Sequence, residues 1–454
     1  SRELPTWDRA VKASREETGC PPPPSSLSFA AMIIRDPVHG LVDLGGPAKE
    51  ILGELLDTPE VQRLRRIRQL GVTSLAFPGA EHSRFGHSLG AAHVMLRLWA
   101  ALESKEGLPV DLGEGDMVAA CAGALLHDVG HPPLSHLLQE ALPAAPPHEA
   151  WSVAVVRSAE TEVGEVLRRH GLDDAVARLL EGTHPAGYLC DALSSPLDVD
   201  RFDYLLRDSH HCGARYGVFD LDWMLGALLL AEAPTPEGDR VVLAVDGRRG
   251  LRAVEAYLMA RLSMFQQVYF HKTSRAAEFM FTSALRRAAA LRGAGGTVEP
   301  MPPGLAMLLG GEIPELSEYL ELDDHLLWYC ITRWSRHPDS ILARLCSGLL
   351  RRRLLRTVPL AARTDERVAL EQIRKATSAA GYDPEYFCGL DRAVDVPYHV
   401  DPGASERIWV VGLGRARPLA EVSPIVDVLR GWQVGRTIAI CPDTARDALG
   451  GILE

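Results

Sequence analysis

The sequence predicts a mainly α-helical fold with a smaller α+β region at its C-terminal end. Apolar residues recur at helical spacing from about residue 46 to residue 290. After residue 383 the pattern changes to a strand, a helix and a strand, over 407–411, 422–429 and 437–441. A chain of 454 residues can hold one large core with a smaller domain appended to it.

Composition shifts divide the chain into four expected parts. Residues 1–31 form an N-terminal extension that contains a stiff run of four prolines, and 32–291 form the main domain. A Gly/Pro-rich linker at 292–302 opens a helical C-terminal extension over 292–382, and 383–454 form a small α+β lobe. Within the main domain we expect a strand near Val241 and one long helix over 249–291.

Charge and cysteine usage limit the possible partners and compartments. The net charge of −12 argues against a protein that coats nucleic acid, although it leaves room for a local basic pocket. The eight cysteines are scattered without a CxxC pair, which is typical of reduced thiols. Because we find no apolar run of membrane-spanning length and no signal peptide, we expect a cytoplasmic protein without a membrane partner.

The central motif is the run from Ala124 to His136, in which a short apolar segment leads to an adjacent His127 and Asp128. The two prolines that follow His131 end the helix, so we expect the pair at the end of a buried helix and His131 on the bend. An imidazole beside a carboxylate is a typical ligand pair for a divalent metal. A solvated helix end is the simpler alternative, but three histidines and one aspartate in ten residues make it the weaker one.

A second polar cluster lies on the helix predicted over 198–213. At about 100° per residue, one face of this helix, with Arg201 at its edge, carries two carboxylates, a phenol and an imidazole. These residues are Asp200, Tyr204, Asp208 and His211. Asp203 and Arg207 fall elsewhere on the helical wheel. Because buried unpaired polar groups are costly, the polar face indicates a functional site or a solvated surface.

Basic residues form two further groups. Thr58-Pro59 predicts a helix start, and the helix that follows carries four arginines in six residues, at Arg63, Arg65, Arg66 and Arg68. Such a helix is usually a solvated face, but in an acidic protein it raises the chance of an anion site. On the helix over 249–291 one stripe contains Arg261, Phe265, Tyr269 and Lys272. It is either a core face with two snorkelling cations or a cationic wall for phosphates.

Four separate places can supply ligands to one metal ion, and they are His87, His127, Asp128 and Asp200. Two imidazoles and two carboxylates favour Fe²⁺, Mn²⁺ or Zn²⁺, with Mg²⁺ as a companion of phosphates. His131, His136 and His148 remain available for proton transfer, and Glu149 and Asp208 for orienting imidazoles or sugar hydroxyls. Arg84, Arg261 and Lys272 would neutralise a polyphosphate.

The order His87, His127-Asp128, Asp200 resembles the metal motif of the HD-domain phosphohydrolases. Nine further segments are similar to the branch that contains the mammalian HD-domain dNTP triphosphohydrolase and its bacterial relatives. They begin at Asp36 (DPVHG), Asp57 (DTP), Gln62 (QRLR), Gln69 (QLG), Phe77 (FPGA), His82 (HSRFGHSLG), His127 (HDVGH), Asp198 (DVDRFDY) and Tyr269 (YFHK). The resemblance covers about residues 32–290 densely. It implies an all-helical, metal-dependent phosphohydrolase core, and residues 1–31 are too short for the SAM domain of the mammalian protein.

The resemblance also implies roles for single residues. His131, His136, His148 and Asp128 match the catalytic group, with His136 as the proton donor to the leaving nucleoside. The positions that match the substrate cleft are Gln69, Leu70, Arg84, Arg201, Tyr204, Asp208, Arg261 and Tyr269. Among them, Gln69 and Asp208 match residues that bind the sugar 3′-hydroxyl, and Leu70 leaves little room for a 2′-hydroxyl. Arg201 stands where a lysine is usual in the mammalian enzyme.

Regulation is a further implication of the resemblance. Asp57, Gln62 and Arg65 match residues that bind a guanine activator, GTP or dGTP, at a subunit interface. Met32 and Arg35 stand where the mammalian protein has Lys and Asn, so the match is incomplete. We expect a homo-oligomer, with a tetramer favoured over a hexamer.

The implied reaction converts a dNTP and water into a deoxynucleoside and triphosphate, for nucleotide balance or phage defence. Two alternatives stay open. One is a different HD-type phosphohydrolase that acts on cyclic nucleotides or nucleic-acid ends, and the other is a non-catalytic nucleotide sensor or single-strand binder.

Overall fold

The chain is mainly helical, as predicted, in a computed structural model that describes residues 33–446. Within this range 143–144, 236–237, 362–363, 396–406, 413–414 and 430–433 are not described. The expected extension 1–31 and Met32 lie outside the described residues, as does the end of the chain after 446.

The main domain opens with a β-hairpin, β1 (Ile33–Asp36) and β2 (Gly40–Asp43). Up to Cys212, ten α-helices follow in the described part of the chain. They are α1 (Lys49–Asp57), α2 (Pro59–Arg63), α3 (Arg84–Glu103), α4 (Glu114–Leu126), α5 (His136–Ala141), α6 (His148–Arg157), α7 (Glu162–Arg169), α8 (Asp173–Leu180), α9 (Gly187–Leu193) and α10 (Val199–Cys212). One large apolar core runs through this domain, and most residues of α3 and α4 are buried in it.

The predicted helix start at Thr58-Pro59 is present, since Pro59 is the first residue of α2. The Thr58 side chain does not cap α2, however. Its Oγ1 donates to the carbonyl of Leu55 at 2.7 Å and so closes the end of α1 instead. After Arg63 the chain tightens into a 3₁₀ turn over Leu64–Arg66, which keeps Leu64 buried.

The expected long helix over 249–291 is wrong in one respect, because the structure divides it. After α11 (Leu221–Ala227), β3 (Leu228–Thr235) and β4 (Gly238–Asp246), the segment contains α12 (Leu251–Met264), a π-helical turn (Phe265–Tyr269) and α13 (Lys272–Gly293). The break at Phe270 and His271 separates Lys272 from the stripe that carries Arg261 and Tyr269. A π-turn inside a helical pattern is frequent at functional sites.

A second apolar core forms around α13. The helices that pack there are α14 (Pro303–Gly310), α15 (Leu316–Leu320), α16 (Asp324–Trp334) and α17 (Ser340–Leu350). Leu134, Leu137 and Trp151 from the main domain belong to the same core, so the helical extension packs directly against the loop that follows His131.

Residues beyond 350 contribute strands to two sheets. The first sheet has the order β5-β9-β6, from β5 (Arg356–Pro359), β6 (Gly389–Asp395) and β9 (Val434–Cys441). The second has the order β3-β4-β7-β8, because β7 (Trp409–Val411) pairs in parallel with β4 and antiparallel with β8 (Arg417–Pro418). In the described part of this region there are also five helices, namely α18 (Glu366–Ala379), α19 (Pro384–Phe387), α20 (Leu419–Val422), α21 (Pro424–Leu429) and α22 (Asp443–Arg446).

Among the described residues, no helix has the length and apolar character that crossing a membrane would require.

Candidate active site

The His127-Asp128 pair lies where α4 ends, as predicted. The loop that follows packs tightly on α6, because a Cβ at Gly130 would lie 2.2 Å from the backbone nitrogen of Ser152. The Ser152 Oγ accepts from the Gly130 N–H at 3.0 Å and donates to the His127 carbonyl at 2.8 Å. Glycine at position 130 therefore allows a close contact that fixes the position of the pair.

The four predicted metal ligands come together from α3, the end of α4 and α10. His87 Nε2 lies 3.2 Å from His127 Nε2 and 2.9 Å from Asp200 Oδ1, and His127 Nε2 lies 3.6 Å from that same oxygen. Asp128 closes the group, with Oδ1 3.4 Å from His127 Nε2 and Oδ2 3.7 Å from His87 Nε2. These distances place the donor atoms of His87, His127 and Asp200 around one small volume, as one ion requires, and the Asp128 carboxylate lies beside both imidazoles.

Hydrogen bonds on the far sides of both rings set their tautomers. The Nδ1 of His127 is 2.8 Å from the carbonyl of Ala124, which can only accept, so this nitrogen carries a proton. The Nδ1 of His87 likewise donates to Asp203 Oδ2 at 2.7 Å. Two neutral rings of this tautomer would direct unprotonated Nε2 atoms at each other across 3.2 Å. A cation between them removes this conflict, so the residues fit a bound metal.

The charge balance of the cluster leads to the same conclusion. Burial lowers the pKa of His87, but the hydrogen bonds with Asp200 and Asp203 outweigh burial and raise this pKa to about 10. Burial raises the pKa of Asp200, and the bonds from His127 and His87 outweigh that effect and lower it strongly. The carboxylates thus remain ionised and need a nearby positive charge. A proton on His87 supplies it in the metal-free chain, and a divalent metal would take its place.

Asp203 is the main functional residue that the sequence analysis missed. It is fully buried, and besides His87 it contacts His39 Nε2 at 2.6 Å through Oδ1. Arg207 binds both of its oxygens, at 2.8 and 2.9 Å, and also donates to Asp36 at 2.8 Å. Asp203 and Arg207 do lie off the polar face of α10, as predicted. An Asp and an Arg four residues apart among apolar neighbours were the available signal of a buried ion pair.

The Asp36–Gly40 turn closes this network. The Oδ1 of Asp36 accepts from the backbone N–H groups of Val38 and His39, at 2.8 and 2.9 Å. The same carboxylate accepts from Arg207 through Oδ2, and His39 reaches Asp203. This segment of the sequence motif therefore supports His87 through Asp203 rather than contacting the metal ligands itself.

His131, His136 and His148 form a second group beside the four ligands, as the resemblance implied. Their ring centroids are 3.7 Å (131–148), 5.1 Å (131–136) and 5.3 Å (136–148) apart. The Nδ1 of His131 lies 2.9 Å from Asp128 Oδ1, and His148 Nδ1 lies 3.2 Å from Glu149. Burial is the main reason that the pKa values of His136 and His148 are lowered to about 4, so both rings are neutral near pH 7.

Arg84 connects the ligand group with the histidine group. This residue begins α3 and is 3% exposed, and its guanidinium donates to Asp128 and to Ser135 Oγ, the latter at 2.8 Å. A third contact, at 3.5 Å, reaches the carbonyl of Gln69. A buried cation at this point suits an anionic group placed between the metal ligands and the three histidines.

A cavity of about 620 Å³ opens from this site. It is lined by three of the predicted ligands (His127, Asp128 and Asp200), by the three histidines and by all but one of the predicted substrate residues. Those substrate residues are Gln69, Leu70, Arg84, Arg201, Tyr204, Asp208 and Tyr269. Asp208 is held from two sides, because His82 Nε2 lies 2.8 Å from its Oδ1 and the Tyr269 hydroxyl donates to its Oδ2 at 2.8 Å. The volume is in the usual range for a small-molecule site.

Three predicted cationic contacts differ from the expectation. Arg201 lines the cavity, but its guanidinium donates to Asp198 and to the carbonyl of Ser195. Arg261 lies outside the cavity lining, with its guanidinium 4.6 Å from the centre of the Phe265 ring, which does line it. Lys272 lines a different, strongly basic pocket because the helix breaks before it.

The residues expected to bind an activator lie on the surface, away from this cavity lining. Asp57 and Arg35 are exposed, at the end of α1 and on β1. The side chain of Gln62 connects the end of α1 with Arg65. It donates to the Leu56 carbonyl at 2.6 Å and accepts from Arg65 at 2.7 Å. The guanidinium of Arg65 also stacks 3.5 Å from the Phe85 ring centre.

The four arginines of residues 63–68 do not form one anion site. Besides Arg65, each binds a different partner within the chain. Arg63 is buried and donates to backbone carbonyls, Arg66 pairs with Asp323 at 2.5 Å, and Arg68 pairs with Glu81 at 2.5 Å.

Comparison with known proteins decides the family. The model for the HD domain matches residues 84–207, and the model for the HD associated region matches 232–296. The uncharacterized protein YwfO of Bacillus subtilis is 33% identical over 406 residues, which is 88% of this chain and 89% of that protein. The chain belongs to the HD-domain phosphohydrolase family. Its HD domain contains all four predicted metal ligands, and His131, His136 and His148 lie in the same range.

Two further relatives show the extent of the similarity. The crystal structure of a phosphohydrolase from Bacteroides thetaiotaomicron superimposes on this HD protein with a TM-score of 0.77 at 28% identity, covering 91% of this chain and all of the other. Deoxynucleoside triphosphate triphosphohydrolase SAMHD1 of Homo sapiens is 29% identical over 301 residues. That match covers 58% of this chain and 46% of the human protein, so the chain spans about half of SAMHD1.

Replacing Gly90 by alanine is expected to disrupt the ligand group of this HD protein. Gly90 lies on α3 one turn after His87, and an added Cβ would lie 1.9 Å from Asp203 Oδ1 and 2.4 Å from Arg207 Nη2. Since Asp203 orients His87, Gly90→Ala should lower the affinity for Mn²⁺ about 10- to 100-fold, measured by isothermal titration of the metal-free protein.

The matched control is Gly115→Ala on α4, where an added Cβ meets no atom within 4 Å. This variant should bind Mn²⁺ as the unchanged chain does. Equal metal affinity in the Gly90→Ala variant, with the fold intact by circular dichroism, would contradict the role assigned to Asp203.

Proposed function

We propose that the chain is a metal-dependent dNTP triphosphohydrolase, which converts a dNTP and water into a deoxynucleoside and inorganic triphosphate. The observation that supports this most is the common cavity. It places His127, Asp128 and Asp200 next to a wall suited to a deoxyribose, formed by Gln69, Leu70, Tyr204, Asp208 and Tyr269. The relatives in several vertebrates carry the name deoxynucleoside triphosphate triphosphohydrolase, which favours the same substrate class.

The sugar would bind at Asp208. Its carboxylate already accepts from Tyr269 and contacts His82, but each oxygen has a second lone pair and can accept from a 3′-hydroxyl. Gln69 lines the same cavity and offers an amide to that hydroxyl. Leu70 is the apolar residue of this wall, and it would leave the 2′-hydroxyl of a ribonucleotide without a hydrogen-bond partner, which disfavours that hydroxyl.

The α-phosphate would lie between Arg84 and the three histidines. Arg84 neutralises its charge, and its bond to Asp128 fixes the guanidinium in place. In the reaction the bond between the α-phosphorus and the 5′-oxygen breaks, while a bond from that phosphorus to the water oxygen forms. His136 gives a proton to the departing 5′-oxygen, and the proton lost by the water is accepted within the Asp128–His131 pair.

His136 is neutral in the free chain because its pKa is lowered to about 4 by burial and then by Arg84. It must therefore gain a proton before it can donate one. A polyphosphate that neutralises Arg84 removes part of the cause of this low pKa, so substrate binding itself favours the protonated ring.

His87, His127, Asp128 and Asp200 would hold a divalent ion, which would supply positive charge next to the phosphate and make a water molecule more acidic. The mixed nitrogen and oxygen ligands favour Fe²⁺, Mn²⁺ or Zn²⁺ at this site, and we propose that Mg²⁺ accompanies the triphosphate.

We further propose activation by GTP or dGTP at an interface between subunits of a homo-oligomer, with a tetramer as the favoured form. Two surfaces support this. Asp57, Gln62 and Arg65 present acceptors and a stacked guanidinium to solvent. A cavity of about 880 Å³ elsewhere in the chain suits the phosphates of such a nucleotide. It is lined by seven cationic side chains, Lys272, Arg344, Arg351, Arg352, Arg353, Arg356 and Arg446.

Chromatography of the products tests the proposed reaction. Incubation of the Mn²⁺-loaded protein with each of the four dNTPs, with and without GTP or dGTP, should release deoxynucleoside and triphosphate in equal amounts. Release of a monophosphate, or turnover of cyclic nucleotides alone, would favour a different HD-type phosphohydrolase. Binding without any turnover would favour a nucleotide sensor.

Replacing Arg65 by alanine tests the regulatory proposal. Arg65 does not line the active-site cavity, so the variant should keep its metal while the concentration of GTP needed for half-maximal activation rises at least about tenfold, as the loss of a charged contact predicts. The fraction of oligomer at a given GTP concentration, measured by light scattering, should be lower in this variant than in the unchanged chain. Arg169→Ala, which removes another exposed arginine, is the control. An unchanged response at every GTP concentration would refute this role.

A further inference from the structure

Three residues of the helical extension, Tyr319, Leu322 and Asp324, hold the loop that carries the catalytic histidines. We call residues 319–324 the clasp segment, and it lies outside both ranges that the HD models match. The Tyr319 hydroxyl donates to the Gly130 carbonyl at 2.7 Å. The carbonyl of Leu322 accepts from the buried Arg63 at 2.9 Å, and the same guanidinium reaches the His131 carbonyl at 3.0 Å. The clasp segment therefore contacts the loop directly and through Arg63.

Asp324 also contacts the histidine loop, and it connects this loop with the chain next to the sugar wall. Its side chain is buried, with the residue 1% exposed. Oδ1 accepts from the backbone N–H of Leu134 at 2.7 Å, and Oδ2 accepts from the backbone N–H of Arg68 at 3.0 Å. Arg68 directly precedes Gln69 of the sugar wall, and Leu134 precedes His136 by two residues. One carboxylate thus sets the distance between the sugar wall and the histidine loop.

The loop that Asp324 holds is strained. Leu134 and Ser135 both have a φ of 57°, a conformation that residues with a Cβ rarely adopt. Ser135 turns its hydroxyl to the Arg68 carbonyl at 2.8 Å and accepts from Arg84 at 2.8 Å. The next residue is His136, which begins α5. The direction of the His136 side chain therefore depends on a turn that needs outside support to persist.

We propose that Asp324 is a positioning residue for His136. Its two hydrogen bonds fix the strained turn and with it the imidazole that donates a proton to the leaving group. This assignment rests on the proposed function, in which His136 is that donor. Asparagine cannot replace Asp324 fully, because one of its two terminal atoms is an NH₂ group that cannot accept from a backbone N–H.

A double-mutant cycle between Asp324→Asn and His136→Ala tests the proposal on the Mn²⁺-loaded protein, with release of triphosphate from dNTPs as the assay. In the chain with His136, Asp324→Asn should lower kcat about 10- to 100-fold and change KM less than about threefold, as the loss of a supporting contact predicts. In the His136→Ala chain the same change should lower kcat less than about threefold. Equal losses of kcat in both backgrounds, or no loss in either, would overturn the proposal.

Asp323→Asn is the matched control. Asp323 is the neighbouring carboxylate, and it caps α16 through the Leu326 N–H and pairs with Arg66 on the surface. Asparagine is also a good helix cap, so this variant should retain both kcat and metal content.

A second measurement separates this proposal from the proposed function. In protein with ¹³C-labelled histidine, the Cε1–H resonance of His136, assigned by its loss in His136→Ala, should shift in Asp324→Asn and stay in place in Asp323→Asn. If no dNTP is hydrolysed, the proposed function fails, and the resonance alone decides the role of Asp324. An unchanged resonance in Asp324→Asn would then reject the positioning role.

Discussion

The hydrogen bond between the buried Asp203 carboxylate and the His87 imidazole is the interaction on which the site depends. It fixes the tautomer that leaves Nε2 of His87 free to bind a metal, and it requires an ionised carboxylate in a fully buried place. Such a carboxylate is costly unless it is paired, and Arg207 pairs with it through two bonds. Removing one partner of a buried pair costs roughly 3–5 kcal/mol, so the network contributes to the fold as well as to the site. Because Gly90 has no side chain, it leaves the space that Asp203 and Arg207 occupy.

Two unlike environments meet at Arg84. On one side the four ligand residues collect acceptor atoms, and on the other His131, His136 and His148 form a group in which burial favours neutral rings. A site of this kind attracts a cation to the first group and an anion to the second, although the whole chain has a net charge of −12. In the proposed reaction, this combination would let an acidic protein bind the polyphosphate of its substrate.

The sequence supports correct predictions where the signal is local or comes from an ordered motif. The helical class, the end of α4 at His127 and the convergence of His87 with Asp200 all follow from such signals. Predictions fail where tertiary packing decides. Periodicity does not show the π-turn before Lys272, since the apolar pattern continues through it. A helical wheel places Asp203 off the polar face, but only the packed hairpin and α3 show what it contacts. The parallel pairing of β7 with β4 joins segments more than 160 residues apart, which no short pattern indicates.

Anomalous diffraction from crystals of the Mn²⁺-loaded protein tests the central claim most directly. We expect one strong peak about 2.0–2.3 Å from His87 Nε2, His127 Nε2 and an oxygen of Asp200, with Asp128 completing the group. The Nδ1 of His87 should remain bonded to Asp203. A peak held only by His131, His136 and His148, or a His87 ring turned away from Asp200, would contradict this account.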